Sequence, residues 1–247
     1  AGSAGVMGAA LPGCGVFMPC TAPALPPGVT WPGAVTHGEI RRCREESEAS
    51  LRAFSVVVPP DAPSIISDYG TWLDTNLAAR PFPHTGIDIA GEEGKTPVIA
   101  AMDGFVEEAR YTYSGGNYVA LFHGEDGRGN DLMTIYFHLS RIFARPGVDV
   151  ARGAVLGLVG NTGTTAGSVP HLHYNVFVGP GLRRRHFSAY FYTAHQDPHR
   201  YWHDGPGRVT LFKPGAAYAN RQGATYPIPG RGEADYFERL TRSLRAI

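Results

Sequence analysis

The sequence predicts a mainly β protein: an antiparallel β-sheet joined by long loops, with short flanking helices that include one at the C-terminus. Three observations carry that expectation. Glycine and proline are heavily used, 32 and 20 of 247 residues, which favours many turns over a helical bundle. From Ser55 onward the chain runs in short β-branched or aromatic stretches bounded by turn residues, the texture of strands. Close to the C-terminus the apolar residues switch to steps of three and four, the period of an amphipathic helix.

In chain order, residues 1–54 form a Pro/Gly-rich arm without apolar periodicity, closed by a possible short helix over 44–54. All three cysteines, Cys14, Cys20 and Cys43, lie there. They read equally as a disulfide staple with one thiol left over and as unpaired thiols. Val16, Phe17, Met18 and Trp31 give the arm enough apolar surface to dock on the sheet, with a plain linker as the other reading. Residues 55–179 are the sheet domain. Its expected strands are Ser55 to Val58, Ile65-Ile66, Val98 to Ala101, Phe105 to Ala109, Tyr118 to Phe122, Met133 to His138, Val155 to Val159 and His171 to Val178. Residues 180–247 are a loop-rich extension packed on that domain, and Tyr236, Phe237, Leu240, Leu244 and Ile247 mark the buried stripe of its closing helix.

Charge and composition exclude several functions. The 22 basic residues are matched by 22 acidic ones, so there is no cationic surplus for nucleic acid. With 43% hydrophobic residues the chain can bury a sizeable core, which excludes general disorder. No stretch approaches the roughly 20 consecutive apolar residues of a membrane span. The first basic residue is Arg41, so any secretory signal is expected to have been removed.

The sharpest chemistry lies in P-F-P-H-T-G-I-D-I-A, residues 81–90, and V-P-H-L-H-Y-N-V, residues 169–176. His171 and His173 alternate on an expected strand, so both imidazoles face one side. His84 and Asp88 are four apart, about 13 Å if fully extended, too far to share one ion. A helix would join them, but two prolines, Gly86 and three β-branched residues oppose it. A turn at Gly86 is the remaining solution. A His and an Asp from that turn, with one His from the distant strand, would make a three-ligand site with its fourth position open, as in catalytic zinc. His138 ends the apolar run Thr134-Ile135-Tyr136-Phe137 and is expected at a strand edge. His195, His199 and His203 are spaced by four, so a second metal site was weighed against a solvated loop capped by Asp197; the loop reading is preferred. Arg183-Arg184-Arg185 reads as a solvated turn.

The same segments resemble the lysostaphin-like zinc endopeptidases of the M23 family, which cleave peptidoglycan. The resemblance runs from about Ser64 to Val178, nearly half of the chain. Ile66-Ser67-Asp68-Tyr69-Gly70, His84-Thr85-Gly86-Ile87-Asp88-Ile89-Ala90, Thr96-Pro97-Val98 and Ala100-Ala101-Met102-Asp103-Gly104 follow the family's opening. Gly116-Asn117-Tyr118-Val119 and Tyr136-Phe137-His138-Leu139-Ser140 follow its middle, and Gly157 to Gly163 with the His171–Val176 run its close. Gly91-Glu92-Glu93-Gly94-Lys95 stands where the family usually has a small proline-containing loop. The resemblance implies a sheet that forms a groove, one Zn2+ per chain held by His84, Asp88 and His173, and acid and base work by His138 and His171. It further implies a secreted or periplasmic monomer acting on peptidoglycan peptides. Two other readings stand below it: a wall-binding or amidase-activating module of the same fold without catalysis, and a non-haem iron oxygenase, whose usual H-x-D spacing this chain lacks.

Overall fold

In a computed structural model of the chain, residues 54–245 are described, except 73, 75–79, 81, 185–190 and 192. The arm up to residue 53 with its cysteines, and Ile247, lie outside them. Eleven strands follow in order: β1 (Ile65–Ser67), β2 (Ile87–Ala90), β3 (Pro97–Ile99), β4 (Gly104–Thr112), β5 (Gly116–Glu125), β6 (Asp131–Leu139), β7 (Arg141–Ile142), β8 (Asp149–Val150), β9 (Val155–Leu158), β10 (His171–Gly179) and β11 (His195–Gln196). Among the described residues one α-helix, α1 (Ala234–Arg245), follows the strands. The large sheet has the order β1-β2-β10-β6-β5-β4-β8, with β11 added to β10, and β3-β9-β7 form a smaller one. All named pairings are antiparallel.

Alternation along the strands sorts side chains onto two faces. Ile87 and Ile89 of β2, Val119 and Leu121 of β5, Leu132 and Tyr136 of β6, and Leu172, Tyr174 and Val176 of β10 belong to the main core. That core is completed by Val98 and Leu156 from the small sheet and by Trp202, Val209, Ala224, Tyr226 and Ile228. The residues beyond 179 thus supply part of the central packing. The opposite face carries Tyr118, Ala120, Met133, Ile135, Phe137 and Phe177 in a second cluster. Strands β6 and β10 are central and buried along nearly their whole length, and β6 accordingly reads in sequence as a nearly continuous apolar run.

Several local expectations change. Ser55 to Val58 makes only an isolated bridge, Val57 to Arg208; Pro59 and Pro60 follow at once and have no N–H with which to carry a ladder further. Ile87–Ala90 is a strand that the runs above do not include. The buried stripe of α1 is Phe237 and Thr241, while Tyr236 and Leu240 are exposed; the helix docks through Phe237 against Phe212, ring centroids 5.9 Å apart, and rotates accordingly. Arg183 is exposed in the short turn Leu182–Arg184, in line with a solvated turn, and its guanidinium also pairs with Glu107 and lies over Phe105 and Phe122.

Candidate metal centre and its imidazole cluster

The parity that buries Ile87 and Ile89 in the main core turns Asp88, between them, to the other face. The same holds on β10, where Leu172 and Tyr174 point into the core and His171 and His173 point away. The β2–β10 register sets His173 directly opposite Asp88, and His173 Nδ1 lies 2.7 Å from Asp88 Oδ1. His84 arrives from just before β2 through a bend at Gly86. A Cβ on Gly86 would meet the Tyr174 carbonyl oxygen at 2.3 Å, so only glycine lets the bend pass so close to β10. Asn175 pins the bend by donating from Nδ2 to the Thr85 carbonyl, 2.8 Å. His84 Nε2 then stands 3.0 Å from Asp88 Oδ1 and 2.9 Å from His173 Nδ1.

Those three atoms form a triangle with sides of 2.7, 2.9 and 3.0 Å, and no other such group of His, Cys, Asp or Glu occurs among the described residues. One ion with bonds of about 2.0–2.2 Å reaches all three, and two imidazoles with one carboxylate are a donor set suited to zinc. His84 donates its Nδ1 proton to the Asp68 carbonyl, 2.9 Å, which leaves Nε2 facing the triangle. The second oxygen of Asp88 accepts from Arg80, 3.2 Å. Burial alone would raise the Asp88 carboxyl; the pull of His84 and hydrogen bonds with His173 and His84 outweigh it and hold the group well below the usual carboxylate range. Burial pushes His173 down to about 4.

His138 reaches the same place by a different device. In strict alternation it would follow Tyr136 into the main core. Between the pairs Asn117↔Leu139 and Val119↔Tyr136, however, β6 carries one residue more than β5. This bulge, with His138 at φ 65°, turns the imidazole to the site face. The residue is thus in a central strand and buried, which corrects the expected strand edge. Its ring is 4.9 Å from that of His171 and 5.9 Å from that of His173. Two glycine-rich loops hold it there. Gly116 and Gly163, both at positive φ, cross so closely that a Cβ on Gly163 would meet the Gly116 nitrogen at 2.2 Å. The crossing brings the Thr162 carbonyl to accept from His138 Nδ1, 2.9 Å. His171 donates Nδ1 to the Val169 carbonyl, 2.7 Å, with Nε2 3.6 Å from Asp88 Oδ1. Both imidazoles therefore spend their Nδ1 proton on a backbone carbonyl and keep Nε2 for the site. Burial, then His171 and His173, push His138 down to about 3.

Residues 82–183, which hold all five of these side chains, match Peptidase family M23. The chain carries an M23 peptidase domain. The domain is 46% identical to peptidoglycan DD-endopeptidase ShyA of Vibrio cholerae over 102 residues, 41% of this chain and 22% of that protein. It is 42% identical to the DD-carboxypeptidase/endopeptidase Mpg of Neisseria meningitidis over 91 residues, 37% of this chain and 19% of that protein. The chain thus matches only about a fifth of the length of these curated relatives. The catalytic domain of lysostaphin from Staphylococcus simulans aligns at 26% identity and a TM-score of 0.39, over 55% of this chain and 86% of that one.

Around the M23 site the structure adds residues that motif reading missed. Arg80 carried no sequence signal beyond lying four residues before His84. Asn175 was visible inside the V-P-H-L-H-Y-N-V run, yet nothing there gives it a role. His199 was read as part of a solvated loop; it is fully buried, although Asp197 does cap the turn Pro198–Arg200 as expected. Glu92, on the Gly91–Lys95 loop, is exposed and paired with Lys95 at 2.8 Å.

Proposed function

We propose that this chain is a zinc-dependent endopeptidase that hydrolyses peptide bonds of bacterial peptidoglycan outside the cytoplasm. The observation that carries the reading is the convergence of a two-histidine, one-aspartate triangle with two further imidazoles whose Nε2 atoms are left free for chemistry. His84 Nε2, Asp88 Oδ1 and His173 Nδ1 would hold one zinc ion. When bound, such an ion supplies Lewis acidity that polarises a scissile carbonyl and acidifies an attacking water. Arg80 and the Asp68 carbonyl fix the orientation of two of these ligands, as outer partners of metal sites do.

His171 and His138 are the proton carriers. The Nδ1 contact of each fixes the tautomer that turns the Nε2 lone pair to the site, so each offers Nε2 as a base. One of them takes a proton of the attacking water on Nε2 and, as the imidazolium so formed, stabilises the developing oxyanion or hands that same proton to the departing amine; the other is poised to accept the remaining proton of the attacking water as the carboxylate product forms. The depressed basicity of His138 suits a group that gives a proton up again. The completeness of the five side chains speaks for turnover over the non-catalytic module of the same fold. The names of the two relatives make the D,D-peptide bond the first substrate to try, and their wall substrate implies an extracytoplasmic location. Among the described residues no helix is long and apolar enough to cross a membrane. Incubating the protein with purified peptidoglycan and identifying new amino termini by mass spectrometry tests the reading. D,D-cross-link cleavage that stops on chelation and returns with zinc is expected; intact wall at full zinc occupancy contradicts it.

A further inference from the structure

The segment 195–202 lies beyond the stretch that matches the M23 family, yet it reaches the site from behind. β11 joins β10 through Phe177↔His195 and Val176↔Gln196. Asp197 Oδ1 then accepts from the His199 backbone N–H, 3.0 Å, at the start of the Pro198–Arg200 turn. That turn drives His199 inward, and its imidazole is saturated. Trp202 Nε1 donates to His199 Nδ1, 3.0 Å. An indole N–H only donates, so Nδ1 is a lone pair and the imidazole proton sits on Nε2. From there it is donated to Asp68 Oδ1, 3.1 Å, which also accepts from the Tyr69 backbone N–H, 2.7 Å.

Asp68 faces both ways. Its carboxylate is anchored by His199, and its carbonyl accepts the Nδ1 proton of His84 at 2.9 Å and the Thr71 hydroxyl at 2.8 Å. The hydrogen bonds thus form an unbroken line, Trp202–His199–Asp68–His84, from the main core to the metal triangle. We infer that His199 is a positioning residue of the metal centre: by anchoring Asp68 it holds in place the carbonyl that orients His84. This rests on the reading of His84 as a zinc ligand. A histidine that merely fills the core would matter for stability alone. In a positioning role its loss also loosens the metal, because a ligand free to rotate must be ordered again on binding.

The test compares variants of the full chain by zinc affinity, measured by chelator competition, and by hydrogen exchange of the His84 Nδ1 proton in the zinc-loaded protein, followed by NMR. His199→Phe keeps the volume and loses both hydrogen bonds; zinc affinity is expected to fall about 10-fold, the low end of outer-partner effects, and the His84 proton to exchange faster. His199→Gln keeps an N–H donor for Asp68 and is expected within about 3-fold of wild type. Asp68→Ala, at a partly buried and more tolerant position, is expected to repeat the His199→Phe result if that variant does not fold. Tyr69→Phe removes the hydrogen bond from Tyr69 to His195, 3.0 Å, and should leave both readouts unchanged. Wild-type affinity and exchange in a folded His199→Phe or in Asp68→Ala overturn the inference. His84→Ala separates the two levels: zinc retained there overturns the metal reading itself, whereas zinc lost there and kept in His199→Phe overturns only the positioning role.

Discussion

The ends of β2 and β10 and the end of β6 deliver side chains to one site by opposite means. On β2 and β10 plain alternation suffices, because each apolar residue sent into the main core obliges its neighbour to face the other way. On β6 alternation would send His138 into that core, and one extra residue with a positive φ reverses it. Two corners of the triangle, Asp88 and His173, are thus a by-product of ordinary sheet burial, while the third, His84, needs the bend at Gly86 and His138, the proposed proton carrier, depends on a local irregularity and on two glycine loops that brace it.

The largest expected effect comes from the alternating side. Asp88→Ala removes the oxygen at one corner of the triangle, and zinc content should fall from one per chain towards zero. Loss of several kcal/mol of charge stabilisation corresponds to about a thousandfold or more in turnover. Elemental analysis beside a wall-digestion assay measures both. If Asp88→Ala keeps its zinc, alternation does not build the site.

Ile89→Ala probes the other face of the same strand. Ile89 is fully buried, and truncating it should cost about 2–5 kcal/mol in denaturant unfolding. The folded fraction should still bind zinc, because the side chain points away from the ligands. A loss of metal without loss of stability would show that the two faces are not separable.

The irregular side predicts a different pattern. His138→Ala and His171→Ala should each lower turnover by about 100-fold or more, the scale of general acid and base catalysis, with zinc occupancy near wild type. Near-normal activity in either variant removes that residue from the chemistry.

Acid should weaken the metal-free fold. In the unfolded chain a histidine accepts a proton near pH 6.5, whereas folded His173 resists until about 4 and His138 until about 3. Their folded-state basicity is depressed, so the stability tied to keeping them neutral is complete above pH 6.5. It is lost as pH falls through that window, at about 1.4 kcal/mol per pH unit for each group. Unfolding titrations between pH 7 and 4 measure the slope, and a flat profile contradicts the burial of the two rings.

How much of this was legible in the sequence follows from the same contrast. Period-two patterning and glycine punctuation locate the longer strands from Val98 to Val178 to within a few residues, though not the two-residue β7 and β8, and the H-x-H run places two imidazoles on one face. The argument for a turn at Gly86 needed only reach and propensity, although the reason for glycine there is the approach of the Tyr174 carbonyl. The bulge at His138 was not legible, because it depends on the count of residues between two pairings of a partner strand. His199 was not legible either: local spacing says nothing about Asp68, 131 residues earlier. Ser55 to Val58 misled because β-branched composition describes a surface that fits a sheet, and the prolines that follow deny it a ladder.

The most direct test is a crystal structure of the zinc-loaded protein with anomalous scattering recorded at the zinc edge. The account predicts one zinc per chain bonded to His84 Nε2, Asp88 Oδ1 and His173 Nδ1, with His138 and His171 off the metal. A zinc ion ligated by His171 or His138 in place of His173, or bound elsewhere with this triangle empty, would contradict it.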